Sequence, residues 1–486
     1  MEKFDVVVIG GGPSGFAATM RALDFGKKVA LIEKNKLGGA GIWNGALSSK
    51  TLWELSINYK NIHKHNFGFN VIEYNLNVQS VFGEMKAAVN EKYQQLKSQV
   101  EHYVQRGNLS YFKGHGQLCS KNEVLIDNNE KIWADNIILA IGSRPRMLPN
   151  IQIDEDIIMT SDGIGNLKDF PKSMVILGAG VIGSEFATIF SNFGKTKVNL
   201  IDKADWILPF EDRDLTNIVA ANLQKQGVTI HHGANLERME IIDGKVEYEI
   251  SVGGRKEIHT VDKALISVGR VPNIENLGCE AAGIKLNERG YAIETDSRTS
   301  VESIFAVGDF TSDIALVNVG ELEGRHAIEK LYGDKNSELN YDNISTIMFL
   351  NPAIAGVGIN ETKCRNLGIP YRMAKMDYRY LNRAVAMRRT EGFFKIIVTD
   401  DDDMNVLGLR ACGKHASSTI ESIALLIEKG LSIRELAELI FPHPSITEGL
   451  QECARMLLGR SIIKPEVFNM HNYCYRVDKE GRKTNL

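Results

Sequence analysis

Short apolar runs recur along the chain, and several stop abruptly at glycine or at an acid. Phe4–Ile9 runs into Gly10-Gly11-Gly12-Pro13-Ser14-Gly15, an alanine-rich helical start follows, and Lys28–Ile32 ends at Glu33. The same series returns further on. Ser173–Leu177 meets Gly178-Ala179-Gly180-Val181-Ile182-Gly183, Glu185–Phe190 opens a helix, and Lys197–Ile201 ends at Asp202. Runs this short, bounded by glycine and followed by helical patterning, predict buried strands of parallel βαβ units. Three further runs end in small or charged residues: Ile137–Ile141 before Gly142-Ser143, Leu265–Val268 before Gly269-Arg270, and Ile304–Val307 before Gly308-Asp309. The predicted class is α/β, with two Rossmann-like dinucleotide-binding domains. A chain of 486 residues also has length for a third domain.

The glycine loops carry the first chemistry. Gly10 permits a tight turn, Gly12 lets backbone approach a pyrophosphate, and Gly15 lets helix and strand pack closely. The helix start supplies amide donors to the phosphates. Glu33 can accept from ribose hydroxyls. Gly178, Gly180 and Gly183 repeat the device, with Val181 and Ile182 at the helix start. Asp202 favours a free ribose 2'-hydroxyl because a carboxylate repels a 2'-phosphate, so NAD(H) is expected ahead of NADP(H), although Lys203 stands beside it.

Composition removes other classes. The net charge is -4, which argues against a nucleic-acid or anionic-lipid partner. No apolar run approaches the roughly 18 residues that would span a bilayer. The N-terminal run reads as a core strand and not as a leader, so a cytoplasmic protein is expected. Six cysteines, at 119, 279, 364, 412, 453 and 474, show no metal-like or CxxC spacing. No metal site and no disulfide scaffold is expected.

In order and spacing these motifs resemble the pyridine nucleotide-disulfide oxidoreductases, the lipoamide dehydrogenase and glutathione reductase group, over residues 4 to about 463. The resemblance implies an FAD-binding domain over 1–150 and 268–339, an NAD(P)H-binding domain over 151–267, and an α+β dimerisation domain over 340–463. A polar tail, 464–486, is expected to be loosely ordered. It implies FAD contacts at Gly10, Gly12, Ser14, Gly15, Glu33, Lys34, Gly39, Lys50, Gly116, Ala140, Gly142, Ser143, Arg270 and Asp309. For NAD(H) it implies Gly178, Gly180, Val181, Ile182, Gly183, Glu185, Asp202 and Gly269. Homodimers are implied, with Gly392–Val398 as an interface strand. Phe441-Pro442-His443-Pro444-Ser445-Ile446-Thr447-Glu448 resembles the segment whose His–Glu pair moves protons to and from the family's dithiol.

The family's redox motif is Gly-Gly-x-Cys-x-x-x-x-Cys-x-Pro-Ser-Lys. This chain reads Gly38-Gly39-Ala40-Gly41-Ile42-Trp43-Asn44-Gly45-Ala46-Leu47-Ser48-Ser49-Lys50. Neither Gly41 nor Ala46 can perform thiol–disulfide exchange. Lys50 and Glu185 survive, which in the family pair near the flavin edge where hydride arrives. Trp43 either covers the flavin face or packs into the vacated volume, and Arg325 and His326 are expected at a surface or interface. The expected activity is an FAD-dependent NAD(P)H oxidoreductase passing electrons to a small-molecule acceptor that is not an internal disulfide: a quinone, another dye-like acceptor, or a second nicotinamide. The alternative is a catalytically silent FAD-binding dimer with a regulatory or scaffolding role.

Overall fold

A computed structural model of the chain describes residues 1–62, 75–311, 314–334 and 338–486. Contacts group the chain into two compact units where three domains were expected: Met1–Lys172 with Arg238–Tyr248 and His259–Leu339, and Ser173–Glu237 with Glu249–Ile258 and Asn340–Leu486.

The first unit is organised by one sheet. Its path runs Glu294–Thr295, Arg298–Thr299, Ile304–Ala306, Glu130–Leu139, Glu2–Ile9, Val29–Glu33, Leu109–Lys113. Val6–Ile9 pairs in parallel with Val29–Ile32 on one side and with Asn136–Leu139 on the other. Val6, Val7 and Val8 are fully buried, which is why this strand reads as a continuous apolar run instead of an alternating one. Because Ile304–Ala306 also runs parallel to Glu130–Leu139, three separate strands end at one rim, delivering Gly10, Ala140 and Gly308 together. Helix Pro13–Asp24 crosses helix Val317–Tyr332 at very short range. A Cβ on Gly324 would lie 2.2 Å from the Ser14 carbonyl oxygen, so that crossing needs glycine.

In the second unit, Ser173–Leu177, Lys197–Ile201 and Thr229–His231 form a parallel set. Helix Val181–Phe193 is buried from Gly183 onward, as expected for a helix apolar on nearly every side. The C-terminal part is a seven-stranded antiparallel sheet ordered Ser345–Met348, Ile354–Gly358, Val406–Cys412, Phe393–Thr399, Tyr371–Asp377, Tyr473–Val477, Lys483–Asn485.

Two expectations are corrected here. Residues 464–486 are not a loose tail throughout, since Tyr473–Val477 pairs with Tyr371–Lys375 and Lys483–Asn485 pairs with Tyr475–Val477. The polar residues that suggested disorder lie in the hairpin turn, while Cys474, Tyr475 and Val477 are buried. The strand covers an edge that would otherwise expose unpaired backbone groups. Nor is Phe393–Thr399 an exposed interface strand: it lies between two neighbours and is buried from Phe393 through Val398.

A buried ionic cluster ties the segment around helix Arg213–Lys225 to the C-terminal sheet. Lys395 is fully buried, and its Nζ meets Asp212 at 2.7 Å, Asp214 at 2.8 Å and Glu361 at 3.0 Å. Glu361 also accepts from the Tyr371 hydroxyl at 2.8 Å and from the Tyr475 hydroxyl of the C-terminal strand. Burial alone would raise the carboxyls of Asp212 and Asp214, but Lys395 outweighs it and holds both below the usual range. Arg410 adds a second pair with Glu211 at 2.9 Å.

Candidate active site

The first glycine loop has the shape its sequence implies. Gly10 adopts φ 107°, and a Cβ there would lie 2.2 Å from the Ala140 carbonyl oxygen, so no other residue fits. A Cβ on Gly12 would meet nothing within 4 Å, leaving backbone open where a pyrophosphate would lie. Gly39 sits against it, where a Cβ would lie 3.1 Å from the Gly12 Cα. Helix Pro13–Asp24 begins with Pro in its first turn and no side-chain cap, so its first amides are kept for another acceptor. Glu33 is buried at its strand end, accepting from the Gly11 amide at 2.7 Å and the Asn35 amide at 2.6 Å. Lys34, next along, is exposed, while Gly116 is buried behind this rim. These residues fit the adenosine and diphosphate of FAD.

Across the rim, Ser143 donates to Asp309 at 2.5 Å, and Arg270 donates from Nε to the Ser143 hydroxyl at 2.7 Å. Arg270 also stands 3.8 Å from Asp309. Gly142, at φ 64°, makes the turn that brings Ser143 there. Three segments far apart in sequence thus meet in one polar chain. Gly269 turns at φ 103° beside Arg270, in this same unit and not in the unit of the second glycine loop.

The second loop repeats the geometry. Gly178 adopts φ 100°, a Cβ on Gly180 would meet nothing within 4 Å, and helix Val181–Phe193 starts without a side-chain cap. Val181 and Ile182 are half-buried at its first turn and Gly183 is buried. Asp202 accepts from the Ala179 amide at 2.5 Å and the Ala204 amide at 2.8 Å, which fixes its carboxylate at the strand end. This suits the adenosine ribose of NAD(H).

The altered segment departs from a continuous helix. Gly39–Ile42 and Ala46–Ile62 are separate helices, broken over Trp43, Asn44 and Gly45. A Cβ on Gly41 would fall 2.5 Å from the Pro13 ring, so this backbone has no room for a cysteine at 41. Trp43 turns toward helix Val78–Gln105: its ring meets Tyr93 at 5.3 Å, Lys36 lies 4.0 Å above it, and its Nε1 donates to the Leu37 carbonyl at 2.9 Å. These contacts pack Trp43 against that helix. Burial raises the Asp162 carboxyl, against the pull of Arg270.

Lys50 lies on Ala46–Ile62 in the first unit, with its Nζ 3.3 Å from the Ser49 hydroxyl. Glu185 is buried in the second unit, where it accepts from the Phe349 amide at 3.0 Å. His443 and Glu448 come together at 2.7 Å through Nδ1, and Glu448 also accepts from the Ser445 amide at 2.8 Å. The imidazole is 62% exposed, so its other nitrogen faces outward from a ring already oriented by a carboxylate. Arg325 is exposed as expected, but His326 is not: it is buried and meets Asp296 at 2.7 Å, with Lys330 on the other Asp296 oxygen at 2.8 Å. Its helix turns that position inward onto the sheet. All six cysteines are free, and burial pushes Cys364 and Cys474 up to about 12, which makes both inert. Among the described residues, no helix is long and apolar enough to cross a membrane.

Residues 4–324 match the family model described as pyridine nucleotide-disulphide oxidoreductase, and residues 344–454 match that family's dimerisation domain. The chain is 32% identical over 471 residues to a dihydrolipoyl dehydrogenase of Chlamydia muridarum, covering 96% of this chain and 99% of the relative. It is 33% identical over 465 residues to that of Bacillus subtilis, covering 94% and 97%. Among solved structures it resembles the HOCl-induced flavoprotein disulfide reductase RclA of Escherichia coli, with TM-score 0.82 and 26% identity over 95% of this chain and 100% of the other. LpdA of Mycobacterium tuberculosis shares the fold, with TM-score 0.85 and 24% identity over 94% of this chain and all (100%) of the other.

Proposed function

Because the chain belongs to the pyridine nucleotide-disulphide oxidoreductase family, whose cofactors are FAD and NAD(H), we propose that it oxidises NADH through FAD and passes the electrons to an acceptor other than a disulfide of its own. One observation carries this reading: Gly41 and Ala46 stand where the family motif has its two cysteines, while both dinucleotide loops keep their geometry. The contact between position 41 and the Pro13 ring supports it, because the local backbone has adjusted to a residue without a side chain.

Bound FAD supplies a two-electron carrier between nicotinamide and acceptor. The protein's part is to bind, orient and move protons. Glu33 and the helix start at Pro13 hold one nucleotide, and Asp202 and the helix start at Val181 hold the other. Lys50 and Glu185 are the charges proposed to flank the hydride transfer. In a homodimer, which the dimerisation domain favours, His443 oriented by Glu448 is a proton donor for the reduced acceptor. With a quinone the balance is NADH + H⁺ + quinone giving NAD⁺ + hydroquinone.

A second reading, a catalytically silent FAD-binding dimer, is favoured by the Phe349 amide on Glu185, which gives that carboxylate a structural contact. Anaerobic titration with NADH separates the two. The active enzyme bleaches its oxidised flavin band with one equivalent; a band untouched by NADH and by NADPH rules out the enzyme and leaves the silent dimer.

A further inference from the structure

The segment that replaces the redox motif is packed shut. A Cβ on Gly41 would lie 2.5 Å from the Pro13 ring and 3.7 Å from the Val317 side chain, and one on Gly45 would lie 2.1 Å from the Ala40 carbonyl oxygen. Neither position has room for a methyl group, since carbon atoms in contact stand roughly 3.5–4.0 Å apart. The side chain missing at 41 has therefore left no hole that a reactant could enter. Ile42 is buried with Val89 and Leu96, Leu47 packs on the same cluster, and Trp43 is held by Tyr93 at 5.3 Å and by its 2.9 Å bond to the Leu37 carbonyl. The hydroxyls of Ser48 and Ser49 donate to the Gly45 carbonyl at 3.4 and 2.7 Å, and that of Thr51 donates to the Leu47 carbonyl at 2.9 Å. Ala40 and Asn44 are exposed, and neither carries a redox couple. The second glycine loop is the opposite case. A Cβ on Gly180 would meet nothing within 4 Å, helix Val181–Phe193 begins without a side-chain cap, and Asp202 is fixed by two amides.

We propose that the acceptor has no site of its own at the altered segment and takes the place that NAD⁺ vacates, so that NADH and acceptor alternate in one site. This deepens the acceptor reading above and rests on it. The acceptor then shares the chemistry of the group it replaces: a planar conjugated ring that takes up two electrons, as an oxidised nicotinamide or a quinone does. With a quinone the balance is the one already written, a proton from solvent completing the hydroquinone. With a second nicotinamide, the hydride that NADH gives up is the hydride that the acceptor gains, and no proton is taken up.

The test uses the full-length FAD-loaded protein, reduced anaerobically with one equivalent of NADH and then mixed with thio-NAD⁺ or with 2-methyl-1,4-naphthoquinone. Return of the oxidised flavin absorbance shows which of the two rings is accepted. The site is probed with 1,4,5,6-tetrahydro-NAD, which occupies the NADH place and gives up no hydride. Added at about ten times its Kd, it slows reoxidation about tenfold, as mass action requires where occupant and acceptor exclude one another. Binding gives a readout apart from turnover. On the oxidised protein, the Kd of tetrahydro-NAD rises about tenfold when the accepted probe is present at about ten times its own Kd. Hydrogen exchange of peptides covering 38–51 stays unchanged with that probe bound. Reoxidation indifferent to tetrahydro-NAD, or protection of 38–51 by the probe, overturns the shared site. If NADH bleaches the flavin and neither probe restores it, the planar-ring acceptor is overturned. A flavin that NADH never bleaches fails one step earlier, before any acceptor is added, and there it is the enzyme reading itself that falls, taking this inference with it.

Discussion

Replacing Lys395 by Met keeps the length and apolar stem of the side chain while removing a charge that three carboxylates share. Lys395 is fully buried, at 2.7 Å from Asp212, 2.8 Å from Asp214 and 3.0 Å from Glu361. At an effective dielectric near 20, one such contact at about 3 Å has a gross attraction of roughly 5 kcal/mol. Most of that offsets the desolvation of the charges, so the gross figure is not the net effect. What Lys395→Met leaves behind is the costly part: Asp212 stays buried without its cation, while Asp214 keeps Lys375 at 3.2 Å and Glu361 keeps Arg365 at 3.1 Å. Losing one partner of a buried pair costs about 3–5 kcal/mol. Hydrogen exchange reads this locally. Peptides covering Phe393–Thr399 should lose about two to three powers of ten in protection, and peptides covering Glu2–Ile9 in the other unit should not change. The pH dependence should also reverse. In the wild type the lowered carboxyls of Asp212 and Asp214 contribute stability that is present above their unfolded pKa near 3.8 and lost as pH falls through the folded values. Without Lys395 burial prevails, the folded pKa values rise, and mild acid narrows the deficit. A loss of protection under tenfold, or a deficit that widens between pH 7 and 5, would refute the reasoning.

Asp202→Ala removes the carboxylate proposed to face the ribose and should weaken NADH more than NADPH in flavin-reduction titrations; an equal loss undoes the coenzyme assignment. Deleting residues 464–486 uncovers the strand edge at Tyr371–Asp377 and takes the Tyr475 hydroxyl from Glu361. The truncated protein should aggregate on heating and lose exchange protection over Tyr371–Asp377; unchanged melting and protection would show the C-terminal strands to be dispensable.

The local devices were legible because each is written in consecutive residues. Apolar runs ending in glycine named the strands, Gly10 and Gly178 named positions that only glycine can occupy, and the acids at 33 and 202 named the strand ends. The absence of cysteine at 41 and 46 was likewise plain. The His443–Glu448 pair was recognisable from its resemblance to the family's segment, and five residues of chain bring the carboxylate to the ring. What the sequence did not disclose depends on segments that meet only after folding. Helical periodicity did not tell which face of Val317–Tyr332 turns inward, so His326 was misplaced, and polar composition hid a strand that buries Cys474 on one face and Tyr475 and Val477 on the other. Lys395 reads as a surface residue until the sheet closes around it, because its three carboxylates come from two distant segments. The same holds at the site: Ser143, Arg270 and Asp309 lie on separate segments, and they meet in one polar chain only after folding. Sequence determined the two dinucleotide loops and placed Gly41 and Ala46 in the motif; tertiary structure decided which side chains are buried and paired, since burial and hydrogen bonding are properties of neighbours in space.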